Sequence, residues 1–348
     1  MILQGNACKI ITDANGRKIH HGEGHGRCFG MESFMNYLKD YREGQKFVGT
    51  YLCKQKQVLK TKAGKTYYSL TLQDKTGTAD GKIWELNNGI ASFEAMDYIH
   101  CEGMVTSFQG NLQMNISRVR ISDEGEYNPA DYVPCTDKDI EEMYGEILKY
   151  AASVQNPYLK QIIEMYFVKD KEFIKNFKKH SAAKSVHHSF MGGLLEHTLS
   201  VTRLCQFFAE QYPMIHRDLL ITAALFHDMG KIQEIADFPL NDYTDDGQLL
   251  GHIYMGAKCM EEAAAKVPGF PPKLKNELVH CILSHHGKLE FGSPKVPAIL
   301  EAMALHMADN ADAKLQTLTE VFTHAGDNTD WLGFNRMFES NLRRTSNE

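Results

Sequence analysis

The sequence predicts a multidomain α and β protein in which a small five-stranded β-barrel precedes an all-α domain. Three observations carry that reading. From about Gln45 to Ser122, short runs alternate apolar and polar residues at the period of a strand, and from Thr136 to Lys314 apolar residues recur at helical spacing. A polar stretch with two prolines, Asp123 to Pro134, separates the two regimes.

Residues 1–30 carry Gly5, Gly16, Gly22, Gly24, Gly26 and Gly30 with few large apolar side chains, and are expected to be a flexible extension outside the fold. Cys8, His20, His21, His25 and Cys28 lie here, but their spacing matches no common zinc module. The first domain is expected over 31–125. Its strands are predicted at Phe47–Leu52, Thr66–Gln73, Ala79–Trp84, Tyr98–Val105 and Leu112–Ile116, with a turn at Asp74–Thr78 and a short connecting helix within Asn87–Met96 after the third strand. Five such strands in that arrangement are the layout of an OB-fold barrel. A linker at 126–136 follows, and 137–348 is expected to be helical with a C-terminal tail, Thr136 or Asp137 capping its first helix.

Within the first domain, Lys54, Lys56, Lys60, Lys62 and Lys65 form a run without acids beside Tyr67, Tyr68 and Trp84. Positive charge suits phosphates and flat rings suit unstacked bases, so single-stranded nucleic acid is the expected partner. Strand alternation lets only one of Tyr67 and Tyr68 face a binding groove.

Composition bounds the rest. A hydrophobic fraction of 43% with 24% charged residues in 348 residues is that of a globular chain with room for two cores. No apolar run approaches the roughly 20 residues that span a bilayer, so no membrane partner and a cytoplasmic location are expected. The eight cysteines are scattered singly and are read as reduced thiols. A net charge of −6 gives no overall attraction to a polyanion, so any nucleic-acid contact must rest on a local basic surface. A homo-oligomer is compatible with all of this.

The helical region carries the chemistry. His197, His227-Asp228, His252, His285-His286 and Asp309 follow one another in order, His197 and Asp309 within stretches that read as helical, His252 opening a helix and the two pairs closing apolar helical runs. Leu219 to Phe226 delivers His227-Asp228, with Gly230 placed to stop that helix; Leu278 to Leu283 delivers His285-His286 just before Gly287. Imidazole and carboxylate together hold borderline divalent ions, and a carboxylate can bridge two of them. Of the sixteen histidines, His20, His21, His25, His100, His216 and His324 are read as ordinary core or surface residues. His187, His188, His280 and His306 are near-site candidates. Lys231, just after the ligand pair, could meet a non-bridging phosphate oxygen, and Lys184, His187 and His188 precede the first ligand at a glycine-softened turn where they could contact substrate phosphate.

The order His197, His227-Asp228, Asp309 resembles the HD superfamily of metal-dependent phosphohydrolases, and His252 with His285-His286 resembles its two-metal members. The resemblance implies an all-α domain whose helices converge on one pocket. One ion would lie among His197, His227, Asp228 and Asp309 and another among Asp228, His252, His285 and His286, with Asp228 bridging. Asp228 and Lys231 are the expected catalytic residues. The phrase from Tyr68 to Gly77 resembles the second strand and turn of nucleic-acid-binding OB domains. An OB-fold followed by an HD domain, with Gly192-Gly193-Leu194-Leu195-Glu196-His197-Thr198-Leu199 at the first ligand, resembles the YhaM-type 3′→5′ exoribonucleases. That likeness implies trimming of single-stranded RNA, and to some extent single-stranded DNA, to nucleoside 5′-monophosphates, supported by Mn²⁺ or Co²⁺, with Mg²⁺, Fe²⁺ or Zn²⁺ also compatible with the ligands. Two other readings fit less of the chain. One is an HD phosphohydrolase of small nucleotides or cyclic dinucleotides, against which the OB domain and the absence of Gly-Tyr-Pro after His286 speak. The other is a non-catalytic OB-fold RNA-binding protein, against which the intact ligand set speaks.

Overall fold

The computed structural model describes residues 37–346 apart from Asn88 and 185–187, together with the backbone of Ile11–Thr12 and Lys18–Ile19. The expectations for residues 1–30 as a flexible extension and for His187 therefore lie outside the described residues. Contacts divide the chain into two units, Met1–Asn36 and Tyr37–Glu348. In the first, Ile11–Thr12 pairs antiparallel with Lys18–Ile19. All that follows concerns the second.

Five strands, β1 (Lys46–Lys60), β2 (Thr66–Asp74), β3 (Gly77–Ile83), β4 (Tyr98–Phe108) and β5 (Asn111–Ile121), close into a barrel in the order β1-β2-β3-β5-β4. All neighbours are antiparallel except β3 and β5, which run parallel. This is the OB-fold expected from the sequence. Alternate residues point inward, as the period of two requires, and Phe47, Tyr51, Leu70, Leu72, Ile83, Ile99, Val105, Met114 and Ile116 fill the interior. A β-bulge at Glu102/Gly103 bends β4, and only glycine fits there, because a Cβ on Gly103 would sit 2.0 Å from the Asn115 carbonyl oxygen.

The connecting helix expected within Asn87–Met96 does not form. The described residues of this segment run irregularly instead: Ile90 makes a parallel bridge to Val119, Ala91 N–H donates to Val119 O at 2.9 Å, and Val119 N–H donates to Gly89 O at 2.9 Å. Pairing to the sheet edge satisfies the backbone that a helix would have satisfied, and it carries Phe93, 2% exposed, into the barrel interior.

The stretch read as a linker is pinned at the barrel end. Lys75 N–H donates to Asp131 O at 2.7 Å, Gln73 Nε2 donates to Tyr132 O at 2.9 Å, and Tyr132 and Val133 are buried. Nine α-helices are described beyond it: α1 (Ile140–Ser153), α2 (Pro157–Glu164), α3 (Lys171–Lys179), α4 (Gly193–Gln211), α5 (Arg217–Phe226), α6 (Lys231–Glu234), α7 (Asp245–Lys266), α8 (Pro272–Ser284) and α9 (Leu300–His324). The cap of α1 is Asp139, whose carboxylate accepts the Glu142 N–H at 2.8 Å, not Thr136 or Asp137. Thr136 is occupied elsewhere, its hydroxyl donating to Glu196 at 2.5 Å. One apolar core joins these helices, with α5 buried from Leu219 to Phe226 and packed against α4, α8 and α9. Both α5 and the C-terminal half of α8 are anchored in this core, which makes their C-terminal ends fixed platforms.

Candidate metal centre

His227 and Asp228 follow directly on α5, and His285 and His286 follow directly on α8, where Gly287 adopts a left-handed φ of 79° and ends the helix as its position predicts. Gly230 acts differently. Its φ of −63° is ordinary, so it does not terminate α5 by a left-handed turn; it is glycine because a Cβ there would lie 2.1 Å from the His252 carbonyl oxygen. That close approach brings the His227-Asp228 turn against α7. His252 begins the regular part of α7, after a break at Gly251, where φ is 73°. His197 comes from α4 and Asp309 from α9.

These side chains converge around Asp228, which is 2% exposed. Its Oδ2 lies 3.3 Å from His197 Nε2 and 3.4 Å from His227 Nε2, while Asp309 Oδ1 lies 3.2 Å from His197 Nε2. Its other oxygen, Oδ1, lies 3.6 Å from both His252 Nε2 and His285 Nε2. The His286 ring is 4.3 Å from that of His285 and 5.2 Å from that of His252. The two oxygens of one carboxylate thus face two separate sets of donors.

The hydrogen bonds behind each ring fix its tautomer. Nδ1 of His227 donates to Ala224 O at 2.8 Å, that of His285 to Ile282 O at 2.7 Å, and that of His286 to Phe291 O at 2.8 Å. A carbonyl can only accept, so the lone pair of each neutral ring is on Nε2, the atom that faces the centre. His252 Nδ1 meets Glu234 Oε1 at 3.0 Å, and His197 Nδ1 meets Asp312 Oδ2 at 2.7 Å. Among the described residues, Asp228 Oδ1, His252 Nε2 and His285 Nε2 are buried with no hydrogen-bond partner. Buried polar atoms are seldom left so, and acceptors that converge without a donor are what a cation requires. Ligand bonds of about 2.0–2.2 Å place neighbouring donor atoms at about the separations seen. The residues fit divalent metal.

Electrostatics hold the two carboxylates and two of the rings in ligand-ready states. Burial opposes ionisation of Asp228, but Lys231 and His227 outweigh it and keep the carboxyl well below its usual range. Burial likewise opposes charge on Asp309, and the histidines around it, His197 first, win. Burial lowers His285, and burial reinforced by His285 brings His286 down to about 4, so both rings are neutral at pH 7. His197 moves the other way. Burial disfavours its cation, but Asp228, Asp309 and Asp312 together raise it well above its ordinary value.

A family model described as the HD domain matches residues 194–314. A 3′-5′ exoribonuclease YhaM of Geobacillus sp. (strain WCH70) is 34% identical over 257 residues, covering 73% of this chain and 78% of that protein. The Bacillus subtilis (strain 168) protein of the same name is 33% identical over 261 residues, covering 73% and 81%. The chain belongs to the YhaM-type 3′→5′ exoribonuclease family, and so to the hydrolases that act on nucleic acid. Among solved structures, the second OB-fold domain of replication protein A from Methanococcus maripaludis matches 26% of this chain and 98% of its own at 20% identity and a TM-score of 0.21.

The remaining predicted residues of this YhaM-type chain fall in several places. Lys231 Nζ lies 2.6 Å from Asp228 Oδ2. Lys184 pairs with Asp242 at 2.5 Å. His188 is 1% exposed, with its Nε2 3.1 Å from Asp312 Oδ2. On the barrel, the Tyr67 ring stacks on Trp84 at 4.6 Å on the outer surface, and Trp84 Nε1 donates to Asn115 Oδ1 at 3.0 Å. Tyr68 packs edge-on to Phe93 against the interior, so the alternation resolves in favour of Tyr67 facing outward. Lys54 is exposed, whereas Lys56 is tied back: its Nζ donates to Phe93 O at 2.5 Å and lies over the Tyr68 and Phe93 rings.

Two residues that touch the candidate ligands escaped the sequence reading, Asp312 and Glu234. Asp312 had a legible signal, because it follows Asp309 by three positions and so shares its face of α9. Glu234 had none, since it meets His252 only through the turn between α6 and α7.

Proposed function

We propose that this chain is a metal-dependent exoribonuclease that removes nucleotides from the 3′ end of single-stranded RNA, and of single-stranded DNA to a lesser extent, releasing nucleoside 5′-monophosphates. The observation that carries the reading is the placement of Asp228 between two donor sets, with its Oδ1 and two facing Nε2 atoms buried and unbonded. His197, His227, Asp228 and Asp309 would hold one divalent ion, and Asp228, His252, His285 and His286 a second, with Mn²⁺ the preferred metal. Bound there, such ions supply a hydroxide nucleophile at neutral pH and offset the charge that builds on the phosphoryl group.

The chain's own residues do the rest. Lys231, 2.6 Å from Asp228, holds an ammonium at the edge of the centre, where it can shift toward a non-bridging phosphate oxygen of the substrate. Lys184, on the segment before the first ligand, can take the adjoining phosphate by exchanging its pairing with Asp242. On the barrel, the stacked Tyr67 and Trp84 offer a flat surface for bases, and exposed Lys54 meets the backbone. Cleavage polarity rests on the family.

The test follows 5′-labelled single-stranded RNA with Mn²⁺ on a sequencing gel, beside an Asp228→Ala control, with chromatography of the released nucleotides. A descending ladder with 5′-monophosphates, absent in the control, is expected. Intact RNA would end this reading in favour of a small nucleotide substrate.

A further inference from the structure

The mechanism above leaves one buried polar cluster unused. Asp312, on α9, receives His197 Nδ1 at 2.7 Å and His188 Nε2 at 3.1 Å on the same oxygen, Oδ2, and the Ser200 hydroxyl on the other. His188 and His197 are each 1% exposed, with their rings 5.4 Å apart. His188 is also held in a left-handed conformation, φ 58°, that non-glycine residues seldom adopt. Its surroundings impose it: His188 N–H donates to Glu320 Oε1 at 3.3 Å, its carbonyl accepts the Ala182 N–H at 3.0 Å, and Gly193 leaves room for that carbonyl, since a Cβ there would lie 2.0 Å from it. A strained backbone, a buried imidazole and a glycine without which the turn would clash all serve to put one ring against Asp312.

We propose that Asp312, clamped by His188 and Ser200, is the positioning device that fixes the ring of His197, and with it the geometry of the metal centre. This rests on the metal reading of the previous section, and gives His188 a role other than contact with substrate phosphate. The geometry has one purpose. His197 Nδ1 is turned to Asp312, so that Nε2 is presented to Asp228 and Asp309 at 3.3 and 3.2 Å. A carboxylate behind a metal-bound imidazole sets both its tautomer and its orientation. The two further donors, His188 and Ser200, keep Asp312 from swinging away.

The experiment measures Mn²⁺ affinity by titration calorimetry and the visible absorption of the Co²⁺ form, using the full chain and its variants Asp312→Asn, His188→Gln, Ser200→Ala and Asp312→Asn/His188→Gln. Asp312→Asn is expected to weaken binding about 10- to 100-fold and to alter the Co²⁺ spectrum. His188→Gln and Ser200→Ala, which leave every carboxylate charge in place, are expected to weaken it by less. The double variant should bind no more weakly than Asp312→Asn, because His188 acts only through Asp312. Melting of the metal-free proteins checks that each is folded, and the His188 and Ser200 variants carry the test if Asp312→Asn is not. Unchanged affinity in Asp312→Asn, losses that add in the double variant, or a third ion lost on replacing His188 would each overturn the proposal. A wild-type chain that binds Mn²⁺ but leaves RNA intact removes the nuclease reading and leaves this one standing, whereas one that binds no Mn²⁺ removes both.

Discussion

Asp228 and Lys231 illustrate how two residues three positions apart divide the work of one site. Asp228 supplies an oxygen to each donor set, so Asp228→Ala should abolish binding at both positions, and RNA turnover with it, as metal titration and the gel assay would record together. Lys231 binds nothing else among the described residues, yet its ammonium holds the Asp228 carboxylate ionised in a buried site. Lys231→Ala is expected to lower turnover about 10²- to 10³-fold, the usual cost of losing one aligned electrostatic group, while leaving metal content near that of the wild type. Unchanged turnover would show that Lys231 merely neutralises Asp228. Glu234 is the counterpart of Asp312 on the other side of the centre, with its Oε1 3.0 Å from both the backbone nitrogen and Nδ1 of His252. Glu234→Gln should lower the affinity for metal by about 10- to 100-fold.

At the scale of elements, the contrast between strands and their connections shows what a sequence makes legible. The five strands could be read because alternation is a local property, and the candidate ligands because His227-Asp228 and His285-His286 follow apolar helical runs while His197 and Asp309 fall within helical ones. The segment from Asn87 to Met96 could not be read, because its backbone partner is Val119, more than twenty residues away, and a distant edge competing for hydrogen bonds leaves no trace in local composition. Gly230 misled for a related reason: a glycine that ends a helix and one that lets two elements touch look alike in one dimension. Its contact is testable. Gly230→Ala would force α6 and α7 apart at His252, and is expected to destabilise the helical region by about 1–3 kcal/mol, as overpacking does, and to weaken metal binding. The barrel gives a separate prediction. Trp84→Ala removes half of the exposed Tyr67–Trp84 stack and should weaken single-stranded RNA binding by about 1–3 kcal/mol, or about 5- to 150-fold, in a fluorescence anisotropy titration. Hydrolysis of a small chromogenic phosphodiester should not change, because that substrate does not need the barrel. A fall in both would show that Trp84 supports the fold rather than the nucleic acid.

Over the whole molecule, the metal centre is also a matter of stability. Its candidate ligands come from α4, α7 and α9 and from the turns that follow α5 and α8, so the cluster exists only when these helices are packed together. In the metal-free chain, buried carboxylates and imidazoles face one another across a centre where Asp228 Oδ1, His252 Nε2 and His285 Nε2 have no hydrogen-bond partner among the described residues. Ions that bind the folded chain and not the unfolded one must therefore stabilise it, by about 2.7 kcal/mol for each site when the free ion is present at about a hundred times its dissociation constant. For a helical region of this size, each kcal/mol moves the melting temperature by about 2–4 °C. Addition of Mn²⁺ to the chelated protein should accordingly raise its melting temperature by several degrees in a calorimetric scan, and excess chelator should reverse the shift. Asp228→Ala should melt at one temperature with or without Mn²⁺. A wild-type shift that persists in Asp228→Ala would mean that the ion stabilises some other part of the chain, and the convergence around Asp228 would then have to be explained without metal.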